Sequence, residues 1–188
     1  MKNAPYQVGA GFSLRLKLRK FYPLFFSLIF ISLLAITVNI IKKFGYHVTY
    51  SATASMPQGF YLVVPTKKTT RYDIVEFIPP KTILDFARNL HWIPESGLII
   101  KYVFAIPGDD VCVRSEAIWI NNKKIGKVYR AYAFEKLLPQ TKICGKLKDD
   151  QYLLLSTKRE RSFDGRYFGA ISSRNILGRA VPIFITNT

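Results

Sequence analysis

Hydrophobic residues form one long unbroken run near the start of the chain. Residues 21–41 read FYPLFFSLIFISLLAITVNII and contain no charged side chain. At about 1.5 Å per residue, a helix of this length spans about 31 Å, which is close to the thickness of a bilayer's hydrocarbon core. The apolar region of a cleaved secretory signal is shorter, about 7–15 residues. The pattern predicts a retained transmembrane helix over 21–41; a signal cleaved near the small residues 52–54 is the alternative.

After this run, short apolar or alternating stretches are separated by turn residues. They are GFYLVV (59–64), YDIVEFI (72–78), GLIIKYVFAI (97–106), DVCV (110–113), AIWI (117–120), NNKKIGKV (121–128), QYLLLS (151–156) and GRAVPIFI (178–185). Asn121 and Asn122 predict the tip of a hairpin. Many short strands rich in aromatic and β-branched residues predict a mainly β domain, with a barrel-like or folded sheet.

Two segments depart from the strand pattern. KTILDFARNLHW (81–92) carries apolar residues at helical spacing, which predicts a short helix. Residues 127–147 are irregular and predict an excursion from the sheet.

The charges predict how the chain is oriented in a membrane. Residues 1–20 carry five basic side chains and no acid, whereas residues 42–188 carry 23 Lys and Arg against all 12 acids. Because basic flanks stay in the cytoplasm, the N-terminus is predicted to be cytoplasmic. The chain then divides into a cytoplasmic basic tail (1–20), a single transmembrane helix (21–41) in the inner membrane, and a periplasmic domain (44–188).

The formal net charge of +16 indicates an anionic partner of some kind. The basic residues are scattered, and no motif typical of nucleic-acid binding accompanies them. We therefore expect attraction to the anionic headgroups of the lipid bilayer and no nucleic-acid partner.

The cysteines and histidines restrict the possible chemistry. Cys112 and Cys144 both fall in the exported part, where an oxidising compartment permits a disulfide between them; two buried thiols are the alternative. Their spacing has no metal-site character, and we expect no metal or other cofactor. His47 and His91 fit surface or packing positions better than the base of a Ser-His-Asp triad.

A lysine is the remaining candidate for a base that activates a serine. Lys101 lies in the apolar run GLIIKYVFAI, where burial would disfavour the ammonium and lower the pKa. With an ordinary pKa near 10.4, about 1 amine in 2,500 is neutral at pH 7, and a pKa of about 8 makes this about one in ten. A neutral lysine can accept the proton of a serine. A lysine that reaches water from an edge strand is the alternative.

Ser55 is the candidate nucleophile, and a second polar cluster lies near the C-terminus. Ser55 stands in SMPQG, where the proline restrains the backbone and the glycine permits a close approach. The later cluster, RSFDGRYFG (161–169), contains Ser162, Asp164 and Arg166. As an alternative, Asp164 and Arg166 could form an ion pair that only stabilises a loop.

These motifs together resemble a known family. SMPQGFY, YDIVEF, IKYVFAIPGD and SFDGRYFG…ILGRAVPIF occur in this order between about residues 50 and 184. They resemble the conserved boxes of the membrane-bound Ser/Lys signal peptidases, and most closely those of the TraF-type conjugative transfer signal peptidases. Tyr102 stands where general signal peptidases usually carry Arg, and STKRER replaces their Gly-Asp-Asn run. Both differences favour the TraF-type branch.

The resemblance implies a β-rich catalytic domain that faces outward from the inner membrane. It implies that Ser55 is the nucleophile and Lys101 the general base. It also implies that Thr53 helps the Ser55 amide to form the oxyanion hole, that Ser162 orients the lysine, and that Asp164 and Arg166 form a supporting polar pair.

The expected function is therefore that of a membrane-anchored serine endopeptidase that cleaves an exported precursor, with a pilin of a conjugation (type IV secretion) apparatus as the expected substrate. The product could be open or circular. A general signal peptidase and a non-catalytic part of the secretion apparatus are the alternatives. Ser55 lies 14 residues beyond Ile41, at most about 49 Å of extended chain, so we expect it to act near the membrane surface. We also expect Phe60, Phe86 and Trp92 to enter the interface.

Overall fold

The computed structural model describes residues 11–114, 116–132, 136–156 and 159–186. The chain divides into two units, Met1–Lys43 and Phe44–Thr188. The described part of the first unit is one helix, α1 (Gly11–Lys43). Its portion Phe21–Lys43 has a mean hydropathy of 2.6 and is long and apolar enough to cross a membrane. This fits the expected single-pass anchor, and the first half of the predicted basic tail lies outside the described residues.

The second unit is built mainly from strands. They are β1 (His47–Ser51), β2 (Gly59–Val64), β3 (Ile74–Phe77), β4 (Ile99–Ala105), β5 (Asp110–Arg114), β6 (Ala117–Ile120), β7 (Lys123–Lys127), β8 (Ala131–Tyr132), β9 (Lys136–Leu137), β10 (Cys144–Lys146), β11 (Gln151–Leu155), β12 (Ile171–Ser172) and β13 (Ile176–Ile185). The helices are α2 (Lys81–Asn89) and α3 (Gly165–Phe168), with a 3₁₀ turn at Ser173–Asn175. The prediction of a mainly β domain is confirmed.

The strands form a large antiparallel sheet in the order β1-β2-β13-β3-β4-β11-β12, a smaller one in the order β10-β5-β6-β7, and the short pair β8-β9. The large sheet is curled. His47 Nε2 in β1 lies 2.5 Å from Glu76 Oε2 in β3, although β2 and β13 lie between them in the sheet. In a flat sheet the two strands would be about 14 Å apart. Register shifts within β13 supply bulges, which bend a strand.

The smaller sheet contains the predicted hairpin. Ile120 pairs with Lys123, and the two residues between them, Asn121 and Asn122, have φ of 49° and 64°. A two-residue turn in which both φ angles are positive is the type that asparagine favours in hairpins. The predicted turn is confirmed.

The predicted excursion (127–147) is more regular than its sequence indicates. Its described residues include β8, β9 and β10, and β10 pairs with β5 so that Cys144 lies opposite Cys112. A disulfide joins these two cysteines. The excursion is therefore tied covalently to the smaller sheet.

The predicted helix over 81–92 is found as α2, which is shorter and buries Ile83 and Ala87. Beyond its end, Trp92 packs against Phe86 and Phe163, with ring centroids 5.9 and 5.4 Å away. Of the three aromatic residues expected at the membrane interface, only Phe60 is among the exposed large side chains. Phe86 and Trp92 instead join the larger apolar core.

Candidate active site

Ser55 lies in the loop between β1 and β2, and a glycine fixes where this loop ends. Gly59, the first residue of β2, has a φ of 146°. A Cβ there would lie 2.1 Å from the carbonyl oxygen of Phe184 in β13. No other residue fits without moving the backbone, so the sequence requires glycine at this position.

Two further contacts hold the Ser55 loop against the sheet. The side chain of Met56 is 1% exposed and packs in an apolar cluster with Tyr61. The hydroxyl of Tyr61 donates to the carbonyl oxygen of Pro57 at 2.7 Å. The residues that follow the serine are therefore anchored, and its own hydroxyl is left facing a cleft.

Lys101 is buried in the centre of the large sheet, on β4. It pairs with Val75 on β3 and is 3% exposed. Its Nζ lies 2.5 Å from Ser55 Oγ. Burial lowers the pKa of Lys101 to about 8, while the negative charge of Asp164 raises it and the positive charge of Arg166 lowers it by smaller amounts. The structure thus brings together a hydroxyl and an amine that is partly neutral at ordinary pH.

Thr53 is the second hydroxyl beside the candidate nucleophile. Its Oγ1 lies 2.9 Å from Ser55 Oγ, a distance at which either group can donate. The backbone between them turns, because the amide of Met56 donates to the Thr53 carbonyl at 3.4 Å. The two hydroxyls consequently share one end of the cleft.

The predicted polar pair is also present and is deeply buried. Asp164 is 0% exposed and accepts from both Nε and Nη2 of Arg166 at 2.8 Å. Burial disfavours the charged guanidinium, but the hydrogen bonds and charge of Asp164 outweigh this cost and raise the pKa of Arg166. The pair lies close enough to Lys101 for both charges to act on its amine.

Ser162 lines the same cleft as Ser55 and Lys101. It is 3% exposed, and within the described ranges its Oγ has no hydrogen-bond partner. A buried hydroxyl without a partner is costly unless some other state of the site uses it. Its expected role in orienting the lysine stays a prediction.

Ser156 is not among the site residues predicted from the sequence, yet it contacts the candidate nucleophile. Its hydroxyl donates to the carbonyl oxygen of Ser55, and its amide donates to Asp164 Oδ2 at 3.0 Å. It therefore connects the backbone of the candidate nucleophile to the buried acid. The only signal in the sequence was a serine directly after the apolar run of β11, and such serines are common.

The cleft has a volume of about 570 Å³. Its walls come from β1 and the Ser55 loop, from the segment after α2, and from the segment 159–163. Within the described ranges, no three His, Cys, Asp or Glu side chains converge as ligands of a metal ion would. Chemically, the arrangement can deprotonate a serine hydroxyl and direct it at a group bound in the cleft.

Comparison with known proteins points to one family. Residues 18–185 match the family profile described as signal peptidase, peptidase S26. The chain is 33% identical over 118 residues to the probable signal peptidase I-2 of Synechocystis sp., covering 61% of this chain and 47% of that protein. It is 27% identical over 149 residues to the plasmid transfer protein TraF of Escherichia coli, covering 71% and 80%.

Among solved structures, the chain is similar to a signal peptidase I from Enterococcus faecalis. The identity is 22% and the TM-score 0.37, over 60% of this chain and 97% of that one. The chain spans about half the length of the Synechocystis relative.

Proposed function

Since the chain belongs to the signal peptidase family, peptidase S26, we propose that it is a membrane-anchored serine endopeptidase that cleaves exported precursors with a Ser/Lys dyad. One observation carries the proposal: the buried Nζ of Lys101 lies 2.5 Å from the Oγ of Ser55. A lysine that is 3% exposed and has a pKa of about 8 can serve as a general base.

In the proposed reaction, Ser55 Oγ attacks the carbonyl carbon of the scissile bond and its proton passes to the neutral Nζ of Lys101. The tetrahedral intermediate then expels the amine, which takes that proton from Lys101. The remaining acyl group is esterified to Ser55. A water molecule attacks this ester, gives one proton to Lys101, and releases the acid while Ser55 recovers its proton from Lys101.

The negative oxygen of the intermediate needs hydrogen-bond donors. We propose the backbone amide of Ser55 and the hydroxyl of Thr53, each worth about 3 kcal/mol by comparison with other hydrolases. The proximity of the two hydroxyls, 2.9 Å, supports the assignment of Thr53. The partnerless Oγ of Ser162 supports its proposed role, which is to accept a hydrogen bond from the amine of Lys101 and orient it.

The proposed substrate is a pilin subunit of a conjugation apparatus. The similarity to a plasmid transfer protein, over 80% of that protein's length, supports this choice. Attack on the ester by the substrate's own amine in place of water would give a circular product. This product is lighter by one water than the open product of hydrolysis, so a mass spectrum of the processed subunit distinguishes the circular from the open form. A general signal peptidase is the second candidate, because the Synechocystis relative is named a probable signal peptidase I.

The proposed location is the inner membrane, with the N-terminus in the cytoplasm and residues 44–188 in the periplasm. The apolar segment Phe21–Lys43 supports the anchor. The disulfide between Cys112 and Cys144 supports an oxidising compartment for the catalytic domain.

An exposed apolar face of the large sheet supports the lipid bilayer as a partner of the catalytic domain. Tyr50, Phe60 and Phe184 form one row across β1, β2 and β13 and are 52%, 47% and 61% exposed. Val48 and Val181 lie in the neighbouring row and are also exposed. Aromatic side chains of this kind are favoured at membrane interfaces.

Two variants test the proposed activity in cells that produce the full chain and a tagged precursor. Ser55→Ala and Lys101→Met should each leave the precursor uncleaved on an immunoblot. The matched controls are Ser173→Ala and Lys123→Met, which change an exposed serine and an exposed lysine outside the cleft. If all four variants process the precursor alike, the protein is a structural component and the proposal is wrong. Rescue of cells depleted of their own signal peptidase would favour the general enzyme over the pilin-specific one.

A further inference from the structure

Two arginines give the cleft an unbalanced positive charge. Arg159 and Arg161 both line it, together with Ser55 and Lys101. Within the described part of the chain, no Asp or Glu lines the same cleft. A concave site lined by one sign of charge attracts groups of the opposite sign.

Among the residues that the structure describes, no acidic side chain neutralises these two arginines. Glu160, the residue between them, lies 3.8 Å from the amine of Lys127, and Lys127 is not part of the cleft. Arg161 lies over the ring of Tyr129, 4.7 Å from its centroid. Among the described residues neither arginine forms an ion pair, so both keep hydrogen-bond donors for another molecule.

The backbone of the segment that carries the two arginines is held by hydrogen bonds from Arg166, a member of the buried Asp164–Arg166 pair. Arg166 Nη1 donates to the carbonyl oxygen of Glu160, and Nη2 donates to that of Arg159 at 3.4 Å. The amide of Ser162 also donates to the Arg159 carbonyl, at 3.2 Å. These bonds hold the backbone of this segment at the cleft, which lowers the entropy cost of binding a ligand with its side chains.

We propose that Arg159 and Arg161 bind a carboxylate of the substrate close to the scissile bond. This proposal rests on the peptidase function proposed above and adds a substrate class: precursors with an acidic residue, or their own C-terminal carboxylate, within reach of the cleft. Guanidinium groups suit this task because they bind carboxylates with two parallel hydrogen bonds. Since both arginines are exposed, the preference is expected to weaken as salt is added.

The test uses the full-length protein in detergent and matched soluble peptides. All peptides share one Ala-x-Ala cleavage site. They carry Glu or Gln at the middle position of this site or at one of the two positions after the scissile bond, and each ends in a free carboxylate or an amide. The Glu/Gln pairs report an acidic side chain, and the free/amide pairs report a terminal carboxylate. We expect kcat/KM to be about tenfold higher for the acidic member of at least one pair, mainly through KM, with the ratio falling at high salt.

The variant Arg159→Gln/Arg161→Gln should bring that ratio close to one. Arg174→Gln, at an exposed arginine outside the cleft, should leave the ratio unchanged. Equal cleavage of acidic and neutral peptides by the wild type overturns the proposal. So does a double variant in which the acidic/neutral ratio of kcat/KM is unchanged, including one in which both values fall by the same factor. Ser55-dependent cleavage of the neutral amidated peptides keeps the peptidase function in each of these cases. If no peptide is cleaved, the proposal for the two arginines fails, and the immunoblot of the tagged precursor decides the peptidase function separately.

Discussion

The Nζ of Lys101 lies 2.5 Å from the Oγ of Ser55, although 46 positions separate the two residues in the chain. One residue comes from an anchored loop beside β2 and the other from the centre of β4. Because the lysine is surrounded by the sheet, its ammonium form is disfavoured, and the contact joins a potential nucleophile to a base of unusually low pKa.

The pH dependence of cleavage should follow the titration of this amine. The pKa of Lys101 is about 8, and only the neutral amine can accept the proton of Ser55. The value of kcat/KM should therefore rise with pH and level off above about 8, since it reports the ionisation of the free enzyme. Initial rates on one peptide between pH 5 and 10 measure this profile. A rate that is flat across this range, or that falls between pH 7 and 9, would contradict the role of Lys101.

The same burial should make Lys101 costly for stability. A pKa lowered from 10.5 to about 8 corresponds to about 3 kcal/mol. Between these values the unfolded chain binds more protons than the folded one, so this penalty is fully present below pH 8 and is relieved as the pH rises toward 10.5. At pH 7, Lys101→Met should therefore raise the free energy of unfolding by up to about 3 kcal/mol while abolishing cleavage.

Thermal unfolding of the wild-type and variant proteins in the same detergent, at pH 7 and pH 10, checks this. The increase in the stability of Lys101→Met over the wild type should be smaller at pH 10 than at pH 7. Lys123→Met, at an exposed position, should show little change at either pH. A Lys101→Met protein that melts below the wild type at pH 7 would show that the amine stabilises the fold.

The features that could be predicted from the sequence are those with a local cause. The apolar neighbours of Lys101 indicate that it is buried, and consecutive asparagines favour the positive φ angles found at Asn121 and Asn122. The strand β1 was not predicted, because its pattern is inverted. Its apolar residues Val48 and Tyr50 are exposed, while the polar residues that alternate with them are half-buried or, at Ser51, buried.

Contacts between distant segments could not be predicted in this way. Alternation in YDIVEFI indicates an outward Glu76, yet the curled sheet brings His47 over it and Glu76 is fully buried. Ser156 meets Ser55 across 101 positions of the chain. Helix α2 ends before Trp92 because the ring packs into the core and His91 adopts a φ of 54°. Each of these outcomes depends on tertiary packing, which residue spacing does not encode.

Ser156 should act as a positioning residue. Ser156→Ala removes the donor to the Ser55 carbonyl and leaves that oxygen unsatisfied, at a cost of about 1–3 kcal/mol. We expect kcat to fall about tenfold with little change in KM, because the serine backbone shifts while the rest of the cleft is kept. The midpoint of the pH profile should stay in place, since no charge is removed.

Ser156→Thr keeps the hydroxyl and should recover most of the lost rate, whereas Ser173→Ala changes an exposed serine and serves as the control. If Ser156→Ala lowers the melting temperature but leaves kcat unchanged, the residue is only structural.

The disulfide should stabilise the smaller sheet without affecting the chemistry. Its two cysteines are 32 positions apart, and closing a loop of this size is worth about 4 kcal/mol in the chain-entropy description. Cys112→Ala/Cys144→Ala should therefore lower the melting temperature and keep the pH midpoint. A reductant should lower the melting temperature of the wild type toward that of the double variant. If reduction changes only the wild type's pH midpoint and not its stability, this assignment is wrong.

The buried pair beside Lys101 offers a test in which two variants should act in opposite directions. The negative charge of Asp164 raises the pKa of Lys101, and the positive charge of Arg166 lowers it. Asp164→Asn should consequently move the rising limb of the pH profile to lower pH, and Arg166→Gln should move it to higher pH. Each change also leaves its partner charge buried and unpaired, which costs about 3–5 kcal/mol, so rates are best measured well below the melting temperature.

The opposite directions separate electrostatics from damage to the fold. General loosening of the site would let water reach Lys101 in both variants and would move both profiles toward higher pH, because hydration favours the ammonium. Arg174→Gln, which removes an exposed positive charge, controls for a change in net charge alone. If the pH profile moves to lower pH in Asp164→Asn and to higher pH in Arg166→Gln, the two charges act electrostatically on the amine of Lys101. Loosening of the site would not produce these opposite shifts.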